Sequence, residues 1–303
     1  MKKFLSMLLT CAMTLSCLTS FAFASEATVS QENSPQLLGE QTINEYDMYV
    51  EMKENSNSVS LNGQTIEEIL LERASISENS LADEYGYSEE QISILKEYDG
   101  SPIEDNPQLR GIFANMNGRL RLRSQDDDSV CVKFEWDWDG LPMLSGYAVT
   151  DVVTCAWLGV DSNNKGHALR LVEDESECKV YYYSRDDFNY EYSEMVEIDD
   201  TNPDESAEAR IQVGSDNPNH MDTFAMSGEM EITLEEPVTV NDLQYCTLVF
   251  GYGHTVLTFD ASFSVSISGI SVSISPTMGT EAMFNGSISV WSDGSVDYGG
   301  DAA

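Results

Sequence analysis

Between residues 257 and 278 apolar and small polar side chains alternate almost without a break, and the phase changes once. Leu257, Phe259, Ala261, Phe263, Val265 and Ile267 hold odd positions, whereas Ile270, Val272 and Ile274 hold even ones. A two-residue turn at Ser268-Gly269 accounts for the change. It sets Ile267 opposite Ile270, Val265 opposite Val272 and Phe263 opposite Ile274, all on one face. The pattern predicts an antiparallel hairpin with one apolar and one wet side. Period-two alternation begins earlier, at Val130, Val132, Phe134, Trp136 and Trp138. Further strand candidates are 149–160, 168–172, 178–184, 192–198, 207–213, 224–234, 243–252, 255–267, 270–275 and 287–298. Turn pairs such as Asp139-Gly140, Asn202-Pro203, Asn217-Pro218 and Asp293-Gly294 separate them. Many short strands with regular turns and no helices between them predict a mainly β fold, an antiparallel β-sandwich over residues 126–303.

The amino-terminal third reads differently. Residues 25–60 are polar and aperiodic and are expected to be a mobile lead-in. Residues 61–125 carry two helix starts. Thr65 with Glu68 three residues on, and Ser88 with Gln91, have the capping-box form, each followed by apolar residues at helical spacing. The second helix is predicted to stop at Asp99-Gly100, and Pro102 prevents its resumption. Two short helices bury little surface alone, so this module is expected to lean on the rest of the chain.

The segments Gly86-Tyr87-Ser88-Glu89-Glu90-Gln91-Ile92 and Leu95-Lys96-Glu97-Tyr98-Asp99-Gly100 resemble the amino-terminal module of uncharacterised secreted proteins of Gram-positive bacteria. Phe134-Glu135-Trp136-Asp137-Trp138 is similar to the start of their β-rich region. The resemblance implies secretion and a β fold, and it brings no activity to any residue.

Composition narrows the setting. Lys2 and Lys3 precede an apolar run that ends at Ala22-Phe23-Ala24, the form of a secretory signal peptide over residues 1–24 cleaved after Ala24. Leu15-Ser16-Cys17 offers a lipoprotein alternative, but Thr14 stands where that motif wants a branched aliphatic residue. No later run approaches the ~20 apolar residues of a membrane helix. The chain is therefore expected to be extracellular, without a transmembrane helix once the leader is removed. Its formal charge of −38 excludes nucleic acid and anionic lipid as natural partners and favours cationic ones. An extracellular protein or a glycan is the expected partner. Cys131, Cys155, Cys178 and Cys246 allow two disulfides in three connectivities; Cys155 and Cys178, on neighbouring predicted strands, are the preferred pair. Their spacing holds no C-x-x-C zinc pair.

Candidate chemistry is sparse. His167, His220 and His254 lack the i, i+4 partner of a zinc helix, and no Gly-x-Ser-x-Gly elbow is present. No catalytic residue is assigned, and a hydrolase centred on His254, which glycines flank, stands as one alternative. No cofactor is expected. Asp161-x-Asn163-x-Lys165-Gly166 begins like a calcium loop but has Val172 where the bidentate Glu belongs, so loop-bound calcium would rest on Asp126-Asp127-Asp128 or Asp199-Asp200. Trp136 and Trp138 share a strand face about 7 Å apart, which would be a sugar-stacking platform if exposed, but Val132 and Phe134 on the same face point to core. Tyr181, Tyr182 and Tyr183 place rings on both faces of their strand, which makes Tyr181 and Tyr183 binding candidates. Arg119, Arg121 and Arg123 precede an acidic loop. They suggest either protease cleavage at Arg123, releasing the helical module as a propeptide, or a strand whose arginines meet acids. Last, a serine-faced hairpin suits membrane insertion. In the register above, however, Pro276 faces Ala261 where the ladder wants an N–H, leaving six pairs and about 20 Å of strand.

Overall fold

The computed structural model describes residues 36–55, 60–61, 64–85, 87–126, 129–142, 150–184, 187–202, 204–215, 217–220, 222–235, 243–255, 262–277 and 280–299. The chain opens with strand β1 (Gln36–Asn44) and helix α1 (Glu45–Asn55), then the two-residue strands β2 (Ser60–Leu61) and β3 (Gln64–Thr65). Helices α2 (Ile66–Ser75), α3 (Glu78–Tyr85) and α4 (Glu89–Glu97) and two short 3-10 turns lead to β4 (Asn115–Gln125). Next come β5 (Ser129–Trp138), β6 (Thr150–Asp161), β7 (Gly166–His167), β8 (Arg170–Leu171), β9 (Glu177–Ser184) and β10 (Tyr190–Val196). The remainder is β11 (Ile198–Asn202), β12 (Ser206–Gln212), β13 (Thr223–Glu235), β14 (Leu243–Thr255), β15 (Phe263–Ser268), β16 (Ser271–Pro276), β17 (Thr280–Trp291) and β18 (Val296–Gly299).

Two antiparallel sheets stack. Sheet 1 runs β1-β4-β5-β13-β9-β10 with β8 beside β13, and sheet 2 runs β11-β12-β6-β14-β17-β18 with β7 beside β6. Alternate residues point inward because successive strand side chains take opposite faces. Val132, Phe134 and Trp136 thus meet Trp157, Phe250 and Phe284 across a shared core, where the Phe134 and Phe284 rings lie 4.5 Å apart. Only Glu197 separates β10 from β11, so the chain turns from one sheet into the other there. The mainly β, antiparallel fold is as predicted.

Several boundaries differ from the sequence reading. Residues 36–55 are not a mobile lead-in: β1 pairs with β4 from Gln36↔Leu122 to Asn44↔Asn115, and α1 supplies Tyr46 and Tyr49 to a second core. β1 is an edge strand with mixed exposure, which is why alternation does not announce it. The helical region has that core to itself, with Ile66, Leu70, Leu81, Ile92, Leu95 and Phe113 among its members. Both capping boxes form, Thr65 with Glu68 and Ser88 with Gln91. A domain boundary at 125 would cut sheet 1, since β4 lies between β1 and β5.

The hairpin β15–β16 turns at Gly269-Ile270, one residue later than predicted. It pairs Ile267 with Val272, Val265 with Ile274 and Phe263 with Pro276. Gly269 takes φ +66, the left-handed conformation that glycine enters at no steric cost, and this selects the turn. The hairpin is also not part of the sandwich core. It forms a third layer on the outside of sheet 2, where Phe263 and Ile274 bury against Val152, Ala156 and Val249. Gly251 makes this approach feasible, because a Cβ there would overlap Ile274 Cδ1. The sheet 2 face beneath the hairpin is therefore dry on both sides, and Asp151 to Val160 of β6 is buried throughout.

Candidate functional site

At one end of the sandwich the ends of β5, β6 and β14 bring Trp138, Asp151, Tyr252 and His254 together. Asp151 and His254 are 1% and 0% exposed. The Tyr252 hydroxyl donates to Asp151 Oδ2 at 2.6 Å, and the His254 Nδ1 faces Asp151 Oδ1 at 2.8 Å. The Trp138 Nε1 lies 3.3 Å from the Tyr252 oxygen, and its ring meets the His254 ring edge-on at 5.8 Å. Burial, then the Asp151 carboxylate, push the Tyr252 phenol well above its ordinary range, so it stays a donor. These hydrogen bonds tie together the ends of β5, β6 and β14. The acid–histidine pair resembles a catalytic dyad in spacing, and its imidazole is fully buried. Sequence reasoning found His254 and missed Asp151, which lies 103 residues away and is joined to it only by the pairing of β6 with β14.

Trp136 and Trp138 are core, 1% and 5% exposed, so the exposed sugar platform is absent. Their strand lies inside sheet 1, between β4 and β13, with its tryptophan face toward sheet 2.

The outer face of sheet 1 is a lattice of charge. Arg119 bridges Glu40 at 2.7 Å and Asp137 at 2.5 Å, Arg121 meets Glu135 at 2.7 Å, and Arg123 meets Glu231 at 3.1 Å. Lys133 binds Glu229 at 2.5 Å. Burial opposes ionisation of Glu229, yet Lys133 holds its carboxyl below the ordinary range. The basic run is thus a strand whose arginines meet acids. Arg123 lies in β4 at the register shift between Leu122 and Ser124, and a cut there would leave β1 and β4 paired within sheet 1.

At the edge of this lattice lie the tyrosines. Tyr181 and Tyr183 point outward from β9, and Tyr190 of edge strand β10 joins them with ring centroids 6.3 and 6.0 Å away, at interplanar angles of 57° and 77°. Tyr181 donates to Glu229 at 3.0 Å beneath the Lys179 ammonium, 5.2 Å from its ring. Burial and then the Glu229 charge raise its phenol above the ordinary range. Tyr182 faces inward and stacks on Tyr192 at 4.7 Å. Of the six large hydrophobic residues that stand exposed among the described residues, Tyr190 and Met195 lie on β10 and Phe188 in the turn before it. Sequence reasoning named Tyr181 and Tyr183 but not their partners on β10.

Cys155 lies on β6 in sheet 2 and Cys178 on β9 in sheet 1, so the expected pair does not sit on neighbouring strands. All four cysteines are free and buried. Burial pushes the Cys131 thiol up to about 11 and Cys246 to about 12. In the loop after β6, Asp161 Oδ1 accepts from the Asn163 and Lys165 N–H groups, and Oδ2 lies 2.9 Å from His167 Nε2. Both of its carboxylate oxygens therefore have partners within the turn. Asp126 likewise caps its own turn through Ser129 N at 2.7 Å. Among the described residues no helix is long and apolar enough to cross a membrane. Ala24, Asp127, Asp128, Leu257, Phe259, Ala261 and Met278 lie outside the described residues.

No family model matches the chain, and no curated protein matches it. Among solved structures it is similar to the collagen-binding subdomain of the Enterococcus faecalis surface protein ACE (8% identity, 53% of this chain and 90% of that one, TM-score 0.25). It is also similar to a collagen-binding domain from a Staphylococcus aureus adhesin (9%, 43% and 77%, TM-score 0.23). A third is AvmM, which catalyses macrocyclisation in alchivemycin A biosynthesis (10%, 54% and 86%, TM-score 0.23). Likeness at this level assigns neither ligand nor activity.

Proposed function

We propose that this chain is an exported binding protein whose contact surface is the tyrosine edge of sheet 1, and that its partner is a basic extracellular protein. The observation that carries the reading is the clustering of Tyr181, Tyr183 and Tyr190 at the edge of an otherwise charged face, with Met195 exposed on the same strand β10. Tyrosine supplies large contact area with few rotors and a polar tip, and such residues anchor protein interfaces. The ring planes are tilted steeply against one another, so their faces cover each other in part. A sugar ring stacks on an open, flat aromatic face, which favours a protein over a glycan here. The net charge of −38 selects a cationic partner and makes the association rate fall with salt.

The test is an array of purified basic and acidic extracellular proteins and polysaccharides, probed with the wild-type chain and with Tyr190→Ala. Binding is expected to basic proteins, to weaken with salt and to drop about tenfold in the variant, as for an interface anchor. Binding confined to polysaccharides, or identical for the two chains, rejects the reading.

A further inference from the structure

A cleft of about 340 Å³ opens where the helical region meets one end of the strands of sheet 1. Gln91 of α4, Arg110 of the 3-10 turn ahead of β4, and Asn115 at the start of β4 line it. Asp139 and Leu141, just after β5, and Phe188, in the turn between β9 and β10, complete the wall used here. The volume lies at the lower end of the ~300–1,000 Å³ of small-molecule sites. None of these residues belongs to the Asp151 network or to the tyrosine contact surface.

Phe188 is out of place in its turn. It takes φ +53, in the left-handed region where a Cβ is crowded. Among the described residues the other non-glycine there is Asn164, of a type that enters the region readily. Glycine or asparagine would hold the turn with less strain, so the turn itself has no need of a phenyl ring. That ring is 41% exposed and meets no other aromatic ring among the described residues, which leaves aromatic surface open beside the cleft.

The polar groups keep bonding capacity. Asp139 Oδ1 accepts from Asn115 N at 2.7 Å and Oδ2 from Asn115 Nδ2 at 2.5 Å. Asp139 is exposed, and each ionised oxygen can accept again. Gln91 Oε1 accepts from Ser88 N at 3.0 Å, while its Nε2 donates to none of the described residues. Arg110 meets Asp47 at 2.7 Å through one guanidinium nitrogen and retains other donors. A cationic ligand would meet Arg110, and an anionic one would meet Asp139 and compete with Asp47. The lining therefore suits a neutral molecule that both donates and accepts hydrogen bonds.

We propose that this cleft binds a pyranose unit of a neutral glycan. One face of such a ring is C–H surface and packs on Phe188. Its hydroxyls, each a donor and an acceptor, match the Asp139 oxygens and the Gln91 and Arg110 N–H groups. The site is separate from the tyrosine edge, and its ligand is neutral where the partner of that edge is basic.

The experiment is saturation-transfer NMR and titration of the full chain with malto-, cello-, manno-, galacto- and chito-oligosaccharides. Wild type is expected to bind at least one of them, with an affinity that salt leaves unchanged. Phe188→Asn removes the ring and supplies a residue suited to the left-handed backbone. Affinity then falls at least about tenfold while the urea midpoint holds or rises. Phe188→Tyr keeps an aromatic ring and keeps binding. Gln91→Glu preserves the capping box and removes the Nε2 donor, and it lowers affinity too. Tyr190→Ala leaves sugar binding intact. Failure of wild type to bind any of the five classes overturns the proposal, as does equal affinity in Phe188→Asn. Loss of sugar binding in Tyr190→Ala also overturns it and moves the sugar to the tyrosine edge.

Discussion

Replacing Asp151 by Asn tests whether the buried network holds the end of the sandwich. The carboxylate accepts from the Tyr252 hydroxyl at 2.6 Å and faces the His254 Nδ1 at 2.8 Å, with almost no exposure. Bonds to a charged acceptor contribute about 1.5–3 kcal/mol each. The Asn amide keeps one oxygen, worth about 1 kcal/mol as a neutral bond, and turns its NH2 toward the other donor, stranding it at a cost of about 1–3 kcal/mol. The expected loss is about 3–5 kcal/mol, a large part of the 5–15 kcal/mol that holds a typical domain. Tyr252→Phe removes one of these bonds and is expected to cost about 1.5–3 kcal/mol. Urea unfolding followed by tryptophan emission reads both, since the Trp138 ring lies 5.8 Å from the His254 ring. With a slope of about 3 kcal/mol per molar urea for a chain of this size, Asp151→Asn lowers the midpoint by roughly 1 M or more. A shift below about 0.3 M, or one no larger than that of Tyr252→Phe, would refute the assignment.

The helical region should weaken in acid. Lys53 binds Glu67 and Glu104, and both carboxyls titrate below their ordinary 4.5, Glu67 despite its burial and Glu104 through the Lys53 hydrogen bond. A depressed carboxyl stabilises the fold above its unfolded value and loses that contribution as pH falls, so melting temperature drops below about pH 4.5. Lys53→Met should flatten that drop, and an unchanged profile would count against the ion pairs. The four buried thiols should resist a thiol reagent in native protein that begins after Ala24. All four should react in urea without reductant; fewer than four would reveal a disulfide. Gly251→Ala forces a methyl against Ile274 and to 3.1 Å from Phe263 Cζ, an overpacking cost of about 1–3 kcal/mol. Amide exchange in residues 264–275 should accelerate, and unaltered exchange would mean the hairpin does not rest on that glycine.

Much of the fold was legible because its cause is local. The alternation of β5 and β13 and the capping residues Thr65 and Ser88 are sequence-near effects, and the elements appear where the pattern put them. Errors came where a neighbour decides. The hairpin register slipped by one turn residue because Ser268-Gly269 and Gly269-Ile270 both fit the apolar parity, and only the conformation of Gly269 separates them. β1 escaped notice because an edge strand needs no apolar rhythm when β4 supplies its hydrogen bonds. The site was half legible for the same reason. Tyr181 and Tyr183 could be named from strand parity, but Tyr190 joins them through pairing of β9 with β10, and Trp136 faces inward because of which sheet lies opposite.

The amino-acid sequence by itself determined the antiparallel character, the two helix starts, the acidity and the polarity of each strand face. All of these follow from side-chain chemistry over a few residues. Tertiary structure alone decided which sheet lay opposite each apolar face, which acid joined His254, and that a third layer covered sheet 2. Those outcomes depend on contacts between residues far apart in the chain, where packing, and not local preference, selects the partner.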